Sequence, residues 1–143
     1  MNLKFVFIGA GNLATQLSKR FKQQGFEILQ VYSRTEKSAR ELAGKVNAEY
    51  TNLPKKISKD ADIYLVALKD SVYPEVLSQI DFGEKLVVHC SGSMPMSVLE
   101  KYAENIGVLY PLQTFSKKRN VNFPEIPVFV EANSAKNEKR LID

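Results

Sequence analysis

Val6-Phe7-Ile8-Gly9-Ala10-Gly11-Asn12-Leu13-Ala14 is the stretch that decides the fold. An apolar run from Leu3 to Ile8, broken only by Lys4, reads as a strand buried on both faces. From Asn12 to Gln24 the apolar residues Leu13, Leu17 and Phe21 recur every four positions, one face of a helix, and Gly25 stands where helices end. The turn between them has the form G-x-G-x-x-A. Gly9 permits a tight turn, Gly11 lets a pyrophosphate approach the backbone, and Ala14 lets the helix lie close against the strand. The free amides and the dipole of the helix amino terminus attract the phosphates. A glycine turn that binds nothing would look the same in isolation. The strand, turn, helix and following strand within about 30 residues supply the context that favours dinucleotide binding.

The rest of the chain continues the alternation. Glu27–Tyr32 reads as a second strand, and Thr35 can cap a helix whose apolar face is Ala39, Leu42, Ala43 and Val46. A short edge strand fits near Glu49-Tyr50. Ile63–Ala67 is a strong strand, followed by a helix from Ser71 to Ile80 with Val72, Val76, Leu77 and Ile80 inward and Pro74 in its first turn. Leu86–Val88 is a strand, Pro95–Ala103 a helix with Val98, Leu99, Tyr102 and Ala103 inward, and Ile106–Tyr110 and Pro127–Val130 are strands. Thr114 to Glu125 reads as a surface loop, and Asn133 can cap a final helix. Strands alternating with helices at this spacing predict a doubly wound, mainly parallel α/β sheet with helices on both faces, a single domain over residues 1–143. A last helix with no strand to receive it points to a piece of a longer protein.

Composition removes several classes of function. The chain has 143 residues, 44% hydrophobic and 25% charged, enough for one domain. No apolar run approaches the roughly 18 residues of a membrane span, and no cleavable leader is visible at Met1-Asn2-Leu3-Lys4. One cysteine, Cys90, and one histidine, His89, argue against a disulfide framework and a zinc site. The expected compartment is the cytoplasm. The net charge of +4, from 20 basic and 16 acidic residues, fits an anionic ligand. Basic clusters at Lys55-Lys56, Lys117-Lys118-Arg119 and Lys136 to Arg140 lack interleaved aromatics, so solvated surface is preferred over a nucleic-acid footprint.

The strand ends carry the chemistry. After the second strand comes Tyr32-Ser33-Arg34-Thr35, with Lys37 nearby and no carboxylate at the tip. A carboxylate there would grip the ribose hydroxyls of NAD. A guanidinium, two hydroxyls and an ammonium suit a 2′-phosphate, so NADP(H) is the expected cofactor. Leu68-Lys69-Asp70 follows the next strand and either contacts the nicotinamide ribose or forms a salt-bridged, capped helix start. His89-Cys90-Ser91-Gly92-Ser93 ends the strand after that. His89 is a candidate proton donor or a hydrogen-bonded structural histidine. Cys90 reads as a small packed residue, and Ser91-Gly92 is well placed to line a substrate or nicotinamide site. Tyr110-Pro111-Leu112-Gln113-Thr114-Phe115 adds a stiff polar loop on the same rim, or an inter-domain contact.

Taken together, Ile8–Ala14, Tyr32–Thr35, Val66–Asp70, Val88–Ser93 and Tyr110–Phe115 resemble the amino-terminal domain of a group of bacterial Rossmann-like oxidoreductases. The group is related to pyrroline-5-carboxylate reductase and to the 6-phosphogluconate and 3-hydroxyisobutyrate dehydrogenases. The glycine turn is common to many families; the His-x-Ser-Gly turn followed by Pro-Leu-Gln-Thr-Phe is much more specific. The resemblance implies a cofactor role for Gly9, Ala10, Gly11, Asn12, Leu13, Ser33, Arg34 and Thr35. It also implies a cofactor or substrate role for Leu68, Lys69, Ser91 and Gly92. It further implies a helical carboxyl-terminal domain that completes the substrate site and forms a homodimer. The group often has His before Pro-Leu, where this chain has Tyr110.

The function expected from these readings is cofactor binding for an NADP-dependent oxidoreductase. Hydride would pass to or from a C=O or C=N group of a small metabolite, with His89 and Ser91 as candidate catalytic residues on this chain and the main acid or base elsewhere. The domain alone would turn over little. A non-catalytic dinucleotide sensor or interaction module, and a deazaflavin-dependent reductase, are the alternatives.

Overall fold

The structure is a computed structural model and describes residues 3–91, 94–111 and 128–134. Its strands are β1 (Lys4–Ile8), β2 (Glu27–Tyr32), β3 (Glu49–Thr51), β4 (Ile63–Val66), β5 (Leu86–His89), β6 (Asn105–Pro111) and β7 (Val128–Ala132). They form one sheet in the order β3-β2-β1-β4-β5-β6-β7. Every pair is parallel except β6–β7, which is antiparallel. Chain order reverses across β1, between β2 and β4, and in an open α/β sheet such a reversal opens a crevice at the carboxyl ends of the strands.

Alternation along β1 divides the core. Phe5 and Phe7 face one side, where Ala14 and Leu17 of α1 (Asn12–Gln23) and Leu42, Ala43 and Val46 of α2 (Glu36–Val46) cover them. Val6 and Ile8 face the other, under Val76 and Leu77 of α3 (Tyr73–Leu77) and Leu99 of a short 3-10 turn at Met96–Leu99. Both sides being covered, Val6, Phe7 and Ile8 lose all solvent contact, which is why the strand reads as an unbroken apolar run. A ring cluster fixes α1 on its side: Phe21 lies 4.8 Å from Phe5 and 5.9 Å from Phe26, centroid to centroid.

β2 carries an irregularity opposite Phe5 and Val6, where the register steps from Ile28 to Gln30. Buried Gln30 donates to the Lys56 carbonyl (3.1 Å) and accepts from the Ser58 amide (2.7 Å), holding the segment that leads into β4. An amide satisfied on both sides can be buried without large cost.

Two expected helices are shorter than the apolar spacing predicts. The stretch Ser71–Ile80 is a 3-10 turn at Asp70–Val72 followed by the five residues of α3. The Ser78 hydroxyl bonds back to the Pro74 carbonyl and the Gln79 side chain to the Glu75 carbonyl (2.7 Å). The Gln79 and Ile80 amides then settle on carbonyls three residues back, and the helix tightens and stops. The stretch Pro95–Ala103 is likewise a 3-10 turn, with Leu99 fully buried and Val98, Tyr102 and Ala103 half-buried. Its first carbonyl, Pro95, accepts both the Val98 amide (3.3 Å) and His89 Nε2 (3.1 Å), so that carbonyl is held in the tighter geometry.

β6 and β7 both extend beyond the expected bounds. The Asn133 side chain, read as a helix cap, accepts from the Ile106 amide (3.2 Å) and donates to the Glu104 carbonyl (2.7 Å), fastening the end of β7 to β6. The expected final helix, the Thr114–Glu125 loop, Gly92 and Leu112–Phe115 lie outside the described residues. No helix among the described residues is long and apolar enough to cross a membrane.

Candidate functional site

The four central strands end on one rim, and each hands its ladder on by one more residue. The Gly9 amide donates to the Tyr32 carbonyl (2.8 Å), Ser33 to Thr51 (3.2 Å), Ala67 to Ile8 (2.8 Å) and Cys90 to Val66 (3.1 Å). The turns that begin at Gly9, Ser33, Ala67 and Cys90 are thereby fixed side by side.

The glycine turn contains two glycines of different kinds. Gly9 has φ +126°, and a Cβ there would stand 2.3 Å from the Ala67 carbonyl oxygen, so this glycine is demanded by the close passage of the β4 turn. Gly11 has φ −82° and ψ −160°, extended backbone open to any residue, and a Cβ there would meet nothing within 4 Å. The protein's own packing gives no reason for a glycine at 11. It is the amino-terminal cap of α1, it has no side chain to satisfy the first amides of the helix, and its carbonyl takes both the Thr15 amide (3.0 Å) and the Thr15 hydroxyl (2.7 Å). Thr15 thus closes the first turn from within while the amide face stays open to the crevice. Ala10 is buried, Asn12 is exposed, Leu13 is half-buried and Ala14 is sealed against the sheet.

Arg34, Thr35 and Lys37 are all exposed at the tip of β2. Thr35 occupies the cap position of α2, but its hydroxyl makes no capping bond there. Burial raises the pKa of Tyr32 beneath them, and Arg34 opposes that rise, which puts the guanidinium's charge at this tip. After β4, Leu68 is half-buried against the core of the α3 side, Lys69 is exposed, and the Lys69 carbonyl accepts the Val72 amide (3.0 Å) to start the 3-10 turn.

His89 is fully buried and both ring nitrogens are engaged. Nδ1 accepts from the Ser91 amide (3.1 Å), which leaves Nε2 to donate to the Pro95 carbonyl (3.1 Å). Burial holds its pKa below the ordinary value of 6.5, against the Pro95 carbonyl and the carboxylates of Asp70 and Glu131. The neutral ring therefore ties the Ser91 amide and the Pro95 carbonyl to the end of β5, with Ser91 half-buried. Cys90 is also buried, and the loss of solvent pushes its thiol up to about 12.

Sequence reading passed over one rim residue. Tyr73, at the start of α3, is 98% buried (2% exposed), its ring centroid lies 6.3 Å from that of His89, and its hydroxyl has no hydrogen-bond partner among the described residues. No sequence signal separates it from an ordinary core tyrosine.

A parallel sheet whose order reverses at β1, a glycine turn opening α1, and convergent strand ends define a Rossmann-type dinucleotide-binding domain. The chain belongs to the family described as NADP oxidoreductase, coenzyme F420-dependent, which matches residues 4–93. Among solved structures, a candidate NADP oxidoreductase from Bacteroides fragilis is 49% identical with a TM-score of 0.94, covering 98% of this chain and 55% of that one. A pyrroline-5-carboxylate reductase from Coxiella burnetii shares the fold at 19% identity and TM-score 0.79, covering 99% of this chain and 54% of that one. An imine reductase from Myxococcus stipitatus, solved with NADP+, shares it at 21% identity and TM-score 0.63, covering 78% and 42%. The chain thus spans about half the length of these proteins. A comparison with curated proteins returned no match.

Proposed function

We propose that this chain binds NADP(H) for a reductase acting on a C=O or C=N group of a small metabolite, held between this domain and a helical partner domain of a homodimeric, cytoplasmic protein. The observation that carries the reading is Gly11, a glycine with no conformational or packing cause, at the open amide face of α1. A pyrophosphate resting on that face accounts for it, because a Cβ would occupy the space the phosphate needs.

The residues present fit the rest of the ligand. Ser33, Arg34, Thr35 and Lys37 supply hydroxyl and cationic donors for a 2′-phosphate at the tip of β2, and Arg34 can take it bidentately. Ala10, Asn12 and Leu13 line the pyrophosphate turn. Leu68, Lys69 and Ser91 are assigned to the nicotinamide end, to which the sequence also assigns Gly92. When bound, the cofactor supplies the hydride that the substrate carbon accepts, and a proton delivered to the oxygen or nitrogen completes the alcohol or amine. Ser91 can orient a substrate polar atom. His89, neutral and committed at both nitrogens, acts by holding Ser91 in place rather than by supplying the proton. The solved imine reductase and pyrroline-5-carboxylate reductases, with the same fold, support a C=N substrate class. The family description also names coenzyme F420, which favours a second reading in which a deazaflavin is the hydride partner of NADP(H).

Calorimetric titration of this chain with NADPH, NADH and a deazaflavin cofactor tests the assignment. NADPH is expected to bind most tightly. Failure of any dinucleotide to bind refutes the reading, and preference for the deazaflavin selects the second one.

A further inference from the structure

We propose that the Tyr73 hydroxyl is a hydrogen-bond donor to the ligand at the nicotinamide end of the crevice, a binding residue hidden beneath the turns that follow β4 and β5. The inference rests on the NADP(H) reading above and assigns it a further contact.

Four observations place the group. Tyr73 opens α3, directly after the 3-10 turn of Asp70–Val72, so it follows the chain that leaves the carboxyl end of β4. Its ring lies against His89, the last residue of β5. Burial keeps its hydroxyl protonated, so it is available as a donor. The ring therefore lies by the carboxyl ends of β4 and β5, in the same core cluster that Leu68 packs against. Finally, it is the buried side-chain polar atom without a partner among the described residues.

A phenol buried without an acceptor is a standing cost, because it has given up water and received nothing in exchange. Phenylalanine would fill the same volume without that cost. The group is explained if an acceptor reaches it in another state of the protein. The carboxamide and ribose oxygens of a nicotinamide nucleotide, or the carbonyl oxygen of the substrate, are acceptors of the right kind for a crevice at this depth. Their entry displaces the turn after β4 far enough to uncover the hydroxyl. Ligands that stop at the adenine end do not reach it.

The test is Tyr73→Phe in the chain as it stands, read by thermal melting and by calorimetry with NADPH and with adenosine 2′,5′-bisphosphate, which lacks the nicotinamide half. The melting temperature without ligand is expected to hold or rise, showing that the variant folds and that no native bond was lost. NADPH affinity is expected to fall about tenfold, the loss of one hydrogen bond to a bound ligand. Affinity for the bisphosphate is expected to stay within about twofold, which is under half a kcal/mol. NADPH affinity equal to that of the wild type overturns the inference, as does an equal loss for both ligands or a lowered melting temperature. If the wild-type chain binds neither ligand, the cofactor reading itself fails and takes this one with it.

Discussion

The two glycines of the first turn should respond in opposite ways to the same substitution. Gly9→Ala puts a Cβ at φ +126° and 2.3 Å from the Ala67 carbonyl oxygen, 2.8 Å from its carbon. The conformation alone costs a non-glycine residue about 1–3 kcal/mol. The neighbour is backbone, so relief requires moving the β4 turn, a packing strain of about 1–3 kcal/mol. A loss near 4 kcal/mol, at about 4 °C per kcal/mol for a domain of this length, lowers the melting temperature by roughly 15 °C. Gly11→Ala meets nothing within 4 Å and keeps an ordinary φ of −82°. The gain from a stiffer unfolded chain and the loss of a better helix cap are each about 0.5–1 kcal/mol and opposed, so stability stays within about 0.5 kcal/mol. Its cost appears in ligand binding, where the new methyl stands in the way of a phosphate and NADPH affinity falls by at least about tenfold, 1.4 kcal/mol. Circular-dichroism melts and calorimetry on both variants give the answer. Gly11→Ala melting as low as Gly9→Ala, or binding NADPH like the wild type, would mean that Gly11 is not kept for a phosphate.

Two other outcomes follow from the buried groups. Cys90, with its thiol pushed up to about 12, should resist thiol reagents at pH 8 in the folded protein and react at the rate of an ordinary thiol once unfolded in guanidinium; rapid labelling without denaturant would contradict the burial. His89 has a folded pKa below its ordinary 6.5, so the unfolded chain binds its proton first on acidification. The stability it contributes is present above about pH 6.5 and is lost as pH falls from there through the lower folded value. Comparing His89→Gln with the wild type in urea melts from pH 7.5 to 5 should show a shallower decline in the variant, and parallel declines would remove His89 as the cause.

Much of this was legible in the sequence because its cause is local. The apolar runs of β1 and β4, the four-residue spacing of Leu13 and Leu17, and the face of Ala39, Leu42, Ala43 and Val46 each name their own element and its buried side. Helix lengths at Ser71–Ile80 and Pro95–Ala103 were not legible. They depend on which group claims a carbonyl: Gln79 taking that of Glu75, His89 sharing that of Pro95. At the site, the G-x-G-x-x-A pattern located the turn but assigned Gly9 to tightness alone. Its need for glycine comes equally from Ala67, 58 residues away. For His89 the sequence leaves a proton donor and a hydrogen-bonded structural histidine both open, and only the partners on its two nitrogens reveal how it is held. Tyr73 could not be singled out at all, since an unmatched hydroxyl is a property of the assembled core.

A calorimetric titration of wild type and Arg34→Ala with NADPH and NADH decides whether the tip of β2 reads a 2′-phosphate. The wild type is expected to prefer NADPH and the substitution to weaken NADPH about tenfold or more, as loss of a charge-assisted contact requires, while NADH changes little. Equal weakening of both cofactors, or a wild type that prefers NADH, would contradict it.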